Sequence, residues 1–150
     1  MGQTLTCLHY HTVFSTKNRL PQITDDLRQR LYDYMGGIVK GERGLLLEAG
    51  GTQDHVHLLL SLPAQPSVAD FLRLVKTNSS KWVHETFAHH RAFAWQSGYG
   101  AFSVSRSNDD SVRRYIEAQA EHHHRITFQE EFLEFLRRHE IPFDERYIWE

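Results

Sequence analysis

Two histidines, His55 and His57, flank a single aliphatic residue in Asp54-His55-Val56-His57-Leu58. On a strand, residues two apart point to the same face, so these imidazoles would stand side by side, suitably spaced for one metal ion. The triplet alone is a weak signal. The chain has 11 histidines in 150 residues, so about 0.3 His-hydrophobic-His triplets arise by chance, and His9-Tyr10-His11 is a second one. Either also fits a half-buried sheet whose histidines are satisfied by local hydrogen bonds. Tyr115 and Gln119 form the next candidate. Residues four apart on a helix share a face. A phenol attacks phosphate usefully only when positioned and charge-compensated, because its reference pKa is near ten. A nearby metal would supply that compensation, with the Gln119 carbonyl oxygen as a third ligand. Taken alone, Tyr115 is better explained as a packed aromatic with a wet tip.

These residues need elements to place them. Residues 4–15 alternate as a strand, with Leu5, Cys7, His9, His11 and Val13 on one face. Thr24 reads as an N-cap with Asp25 and Asp26 in the first turn, and Leu27, Leu31, Tyr34 and Ile38 mark an amphipathic helix. Residues 45–49 and 54–62 read as two strands joined through Gly50-Gly51 and closed by Pro63 and Pro66. Ser67 caps a helix whose apolar face is Val68, Phe71, Leu72, Val75, Ser79, Trp82 and Val83. Residues 93–104 suggest a strand or hairpin. A helix from 108 or 109 carries Tyr115, and a last helix spans about 128–139. The order βαββαβαα predicts an α+β fold, a mostly antiparallel sheet with helices against it.

The length suits one domain, residues 1–150. With 40% hydrophobic and 24% charged residues, a packed core is expected rather than disorder. No apolar run is long enough for a membrane span, and the single cysteine, Cys7, with no signal-like N-terminus, predicts a reducing cytoplasm. The net charge of −2 argues against tight non-specific duplex binding. The acidity is concentrated late. Residues 1–114 carry 13 Lys and Arg against 10 Asp and Glu, whereas residues 115–150 carry 4 against 9.

Taken together, the blocks resemble the single-tyrosine transposases of the HUH nuclease superfamily, the group of small insertion-sequence enzymes of the IS-two-hundred type and their repeat-associated relatives. The resemblance runs through Tyr10-His11-Thr12-Val13-Phe14 with its exit to Arg19, Asp54-His55-Val56-His57-Leu58, Trp95 to Val104, Tyr115-Ile116 with Gln119, His122-His123 and Tyr147-Ile148-Trp149. It implies a ferredoxin-like or RNA-recognition-like sheet, with His55, His57 and Gln119 as metal ligands and Tyr115 as nucleophile. It also implies magnesium or manganese, single-stranded DNA with hairpin ends as substrate, a covalent 5′-phosphotyrosine intermediate, and a homodimer with composite active sites.

Three other functions compete. A domesticated HUH nickase acting on repeat palindromes would keep the same residues. A non-catalytic single-strand binder would need none of them, and an unrelated metal-dependent hydrolase would not need Tyr115. Lys17, Arg19, Lys76, Lys81, Arg113 and Arg114 are weak candidates for DNA backbone contacts. Trp82, Trp95 and Phe102 suit core packing better than base stacking. His9 and His11 read as sheet residues, placed near the site if their strand neighbours that of His55 and His57, and His122-His123-His124 reads as a solvated helix end, with contact to phosphate or orientation of a ligand as the alternative.

Overall fold

The computed structural model describes residues 2–149. Its elements are β1 (Leu8–Ser15), α1 (Asp25–Gly41), β2 (Leu45–Gly51), β3 (His55–Leu62), α2 (Val68–Thr86), β4 (Gly100–Val104), α3 (Asp109–Glu117), α4 (Gln119–His122) and α5 (Phe128–Arg138). The strands lie in the order β2-β3-β1-β4, every neighbouring pair antiparallel. That is the βαββαβ arrangement of a ferredoxin-like fold, as the sequence pattern predicts.

The two faces of the sheet are covered differently. Val56, Leu58, Leu60 and Leu62 of β3 point with Phe14 of β1 into the main core, against Leu27, Leu31, Met35 and Val39 of α1 and Phe71, Leu72, Val75 and Val83 of α2. Strand alternation sends His55 and His57, both fully buried, to the opposite face. There Val13 and Phe102 meet Phe128 and Leu136 of α5. Burial on both faces explains why β3 reads as a nearly continuous apolar run broken by two histidines.

Three expectations need correction. Residues 4–7 do not extend β1. Its pairing with β3 ends at Leu8 opposite Leu62, among the described residues no strand continues beside residues 4–7, and Leu5 is 74% exposed. The buried row of α1 is Leu27, Leu31, Met35 and Val39, with Tyr32 beside it, rather than one through Tyr34 and Ile38. A constant spacing of four keeps that row on the sheet, while Tyr34 lies on the flank and stacks on Trp82 at 4.6 Å. The 93–104 segment is a strand only from Gly100, and before it Trp95 makes an isolated bridge to Thr16. Ser67 caps α2 as its spacing suggests, accepting from the Asp70 amide at 3.1 Å.

Candidate active site

β3 aims both imidazoles at one point. Nε2 of His55 lies 3.0 Å from Oε1 of Gln119, and Nε2 of His57 lies 2.9 Å from Oε1 of Glu131. The opposite nitrogens are also engaged. Nδ1 of His55 is 2.7 Å from Oδ1 of Asp54, and Nδ1 of His57 is 2.7 Å from Nε2 of His11. Each ring is therefore held by its rear nitrogen and presents its front one. Burial opposes ionisation of Asp54, but the hydrogen bond from His55 prevails and keeps its carboxyl below the ordinary range.

α3 delivers Tyr115 to the same face. Its first turn is pinned where Asp109 oxygens lie 2.9 and 3.0 Å from Nδ1 of His9 on β1. Its middle is tied to β2 by Arg113, which donates to the Leu47 carbonyl at 2.6 Å. Between these, α3 lies almost in contact with the sheet. A Cβ at Gly50 would sit 2.4 Å from the Ile116 carbonyl oxygen, closer than any side chain permits, so glycine at this position lets the helix approach. The Tyr115 ring stands 5.8 Å from that of His57. The helix carrying Tyr115 is not continuous to Gln119, because Ala118 (φ −89°, ψ 11°) separates α3 from α4. Gln119 still turns inward and is 1% exposed. His55, His57, Tyr115 and Gln119 thus meet within one chain.

Two further residues join them: Glu131, which the sequence reading missed, and His123, which it placed at a solvated helix end. Glu131 of α5 is 2% exposed and accepts from the Tyr115 hydroxyl and from Nε2 of Gln119 at 3.1 Å. His123 presents Nε2 to Glu131 at 3.1 Å, off the hydrogen-bonding direction, which leaves this nitrogen buried without a partner. Ligand atoms of His55, His57, His123 and Glu131 lie within 4.8 Å of one another. His123 is therefore part of the cluster and not of a solvated helix end. Glu131 had one signal in the sequence, an acid at an inward position of the α5 stripe between Phe128 and Phe135.

Glu131 sets the local electrostatics. Burial opposes its ionisation, but the close approach of His123 and the hydrogen bond from His57 hold its carboxyl well below the usual carboxylate range. Burial raises the Tyr115 hydroxyl well above its ordinary value, and the bond to Glu131 raises it further. Burial lowers His57 to about 4 against the pull of Glu131, and lowers His11 to about 3, helped by His57. For His123 the carboxylate outweighs burial and its pKa is raised.

The donor set fits a divalent ion. Two imidazole nitrogens, an amide oxygen and a carboxylate converge, and the unpartnered His123 nitrogen faces the same point. By ligand softness, imidazole nitrogens suit zinc or manganese better than magnesium. α5 closes the site, with Phe128 4.7 Å from the His55 ring and Phe135 5.7 Å from the Tyr115 ring. A cavity of about 130 Å³ remains beside Tyr115, His122 and Glu131, below the volume that ligand pockets need. A wide cleft lined by Arg19, Arg28, Asp54, His123 and Arg125 opens alongside.

The remaining guesses scatter. Arg113 is spent on Leu47, Lys76 on the Gln96 and Gly98 carbonyls at 2.7 and 2.6 Å, and Lys81 faces Glu85 at 4.0 Å. Arg114 reaches Ser111 at 3.4 Å. Lys17 is exposed, and Arg19 lies over the Trp149 ring as well as lining the cleft. Trp95 and Phe102 are core residues, as expected. His9 and His11 are not merely sheet residues, since one holds α3 and the other backs His57.

Comparison with known proteins places this arrangement. The family described as "Transposase IS200 like" matches residues 4–119, a span that holds His55, His57, Tyr115 and Gln119 and ends before His123 and Glu131. The transposase for insertion sequence element IS200 of Salmonella typhimurium is 30% identical over 118 residues, covering 75% of this chain and 76% of the relative. A transposase-like chain of known structure from Deinococcus radiodurans R1 is 26% identical with a TM-score of 0.63, covering 79% of this chain and 96% of that one. A REP-associated tyrosine transposase bound to a REP hairpin shares the fold at 14% identity and a TM-score of 0.53, covering 79% of this chain and 70% of that one. The fold, the placement of these residues and the family match lead to one conclusion: this chain belongs to the IS200-like transposase family.

Proposed function

We propose that this chain cuts and rejoins single-stranded DNA at hairpin-flanked ends, with Tyr115 as nucleophile and His55, His57 and Gln119 as ligands of a divalent ion. The observation that carries this reading is the convergence of His55 Nε2, His57 Nε2 and Gln119 Oε1 on one buried point beside the Tyr115 hydroxyl.

The phenolic oxygen of Tyr115 attacks the scissile phosphorus as its proton leaves. The bond from phosphorus to the 3′ oxygen breaks, giving a 3′ hydroxyl and a 5′-phosphotyrosine. Attack by another 3′ hydroxyl on that linkage reverses the step and needs no ATP. A magnesium or manganese ion in the site would polarise the phosphate and offset charge on the leaving oxygen. Glu131 accepts a hydrogen bond from the Tyr115 hydroxyl in this structure, and its carboxylate opposes loss of the phenolic proton until that contact is released. Tyr115 lines the small cavity beside α5, and Glu131 of that helix holds its hydroxyl, so a phosphate must displace this contact to reach it. The wide cleft bearing Arg19, Arg28 and Arg125 is the side from which a phosphate chain would come. A second copy of the chain is the expected partner. With the four residues on one chain, each protomer would carry a site of its own unless α3 is exchanged.

The test is a covalent adduct. Full-length protein is incubated with single-stranded hairpin DNA from the flanks of its own gene and manganese or magnesium, and a DNA-linked band is sought on a denaturing gel. The adduct is expected with the native chain and lost in Tyr115→Phe and His57→Ala. An adduct that survives Tyr115→Phe removes the nucleophile assignment. Cleavage without any adduct favours a hydrolase.

A further inference from the structure

We propose that His11 is the positioning residue for His57, holding its rear nitrogen so that the front one can serve either Glu131 or a metal ion. This rests on the metal reading above.

The two histidines of β3 are backed by different chemistry. Nδ1 of His55 meets a carboxylate, Asp54, at 2.7 Å. Nδ1 of His57 meets another imidazole, His11 Nε2, also at 2.7 Å. The placement follows from the sheet register. Val13 pairs with His57 and His11 with Leu59, so His11 and His57 are diagonal neighbours on the same face, within reach of long side chains. Their ring centroids are 5.0 Å apart, and Phe102 and Phe135 pack on the edges of His11. His11 is 4% exposed and His57 0%, so bulk water does not compete for this hydrogen bond.

The choice of imidazole has a chemical consequence. Facing the Glu131 carboxylate, Nε2 of a neutral His57 carries the proton and donates, so Nδ1 must accept and His11 must supply the N–H. With a cation at Nε2, the lone pair is needed there. The His57 proton then sits on Nδ1 and donates, and His11 must accept. A neutral imidazole can take either role by exchanging its tautomer. A carboxylate, as at His55, could only accept and would place a second buried negative charge near Glu131. His11 therefore allows His57 to alternate between two front partners with no charge change behind it.

Manganese binding to the full-length chain is measured by calorimetry for the native protein and for His57→Ala, His11→Phe and His11→Gln. In parallel, a 15N–15N coupling across the hydrogen bond is sought by NMR between the His11 and His57 rings in metal-free native protein. The amide of Gln can also donate or accept at the Nε2 position, and Phe cannot. His11→Phe should weaken manganese binding by about 10–100-fold while His11→Gln stays within about threefold of native, and the coupling should be present. Binding by His11→Phe equal to native, a His11→Gln as weak as His11→Phe, or a missing coupling overturns the positioning role. Manganese bound equally by native protein and His57→Ala, or by neither, overturns the metal reading itself and the positioning role with it.

Discussion

Oε1 of Glu131 lies 2.9 Å from Nε2 of His57, the nitrogen that would face a metal ion in the proposed site, while its other oxygen accepts from the Tyr115 hydroxyl. One side chain therefore occupies the space between ligand and nucleophile. Replacing it with an isosteric amide keeps the shape and removes the charge. Glu131→Gln should bring the Tyr115 hydroxyl down towards its ordinary pKa, because the carboxylate adds to the rise that burial begins. It should also raise the yield of the covalent DNA adduct severalfold. Ultraviolet titration of tyrosinate, compared with Tyr115→Phe as a blank, measures the first effect and a denaturing gel the second. A fall in adduct together with weaker manganese binding would instead make Glu131 a metal ligand.

The buried histidines predict acid sensitivity of the metal-free protein. His57 and His11 have folded pKa values of about 4 and about 3, below the value of about 6.5 in an unfolded chain. Between pH 6.5 and 4 the unfolded state binds protons that the folded state refuses, so stability falls as pH falls, by at most about 2.7 kcal/mol per pH unit for two groups. His123 works the other way and adds stability as pH drops towards 6.5, because its folded pKa is raised. Melting temperature in EDTA should thus hold or rise slightly from pH 8 to 6.5 and then decline. A flat profile from 6.5 to 4 would contradict buried neutral His57 and His11.

His9 and Asp109 fasten the start of α3 to β1, with side chains 5% and 13% exposed. Asp109→Asn and His9→Phe should loosen the helix locally and not the whole fold. Hydrogen exchange should quicken at the amides of residues 109–117, while those of β3 stay protected. Adduct formation should fall because Tyr115 samples more positions. Equal acceleration in β3 would mean that the pair holds the entire domain together.

The sheet was legible because alternation and helical spacing are local properties. His55 and His57 stand out against an otherwise apolar strand, and the strand and helix order gives the fold class directly. The α1 stripe was misread by one register because Tyr34 and Ile38 fit a helical spacing as well as Met35 and Val39 do. Only the sheet beneath decides which row is buried. His11 was hidden for a different reason. Its partner is 46 residues away, and the diagonal offset depends on how β1 pairs with β3. Glu131 and His123 depend on how α5 folds back over the site, which no spacing within residues 120–138 encodes. A charged residue inside the apolar stripe of α5 marked Glu131, and the His122-His123 block of the resemblance marked His123.

Gly50 offers a way to separate grip from cut. A single methyl there collides with the backbone of Ile116, the neighbour of Tyr115, from the β2 position paired with His57 of β3. Gly50→Ala would act as a wedge under α3, tilting Tyr115, the proposed nucleophile, while His55 and the arginine-lined cleft keep their places. Such a variant should retain hairpin affinity within about threefold and lose about a hundredfold or more in adduct rate, as a misplacement near 1 Å can cost. Filter binding and gel assays together would read this out. On the proposed reading, the absence of one carbon atom keeps Tyr115 in range, and adding it would leave a protein that holds its substrate uncut.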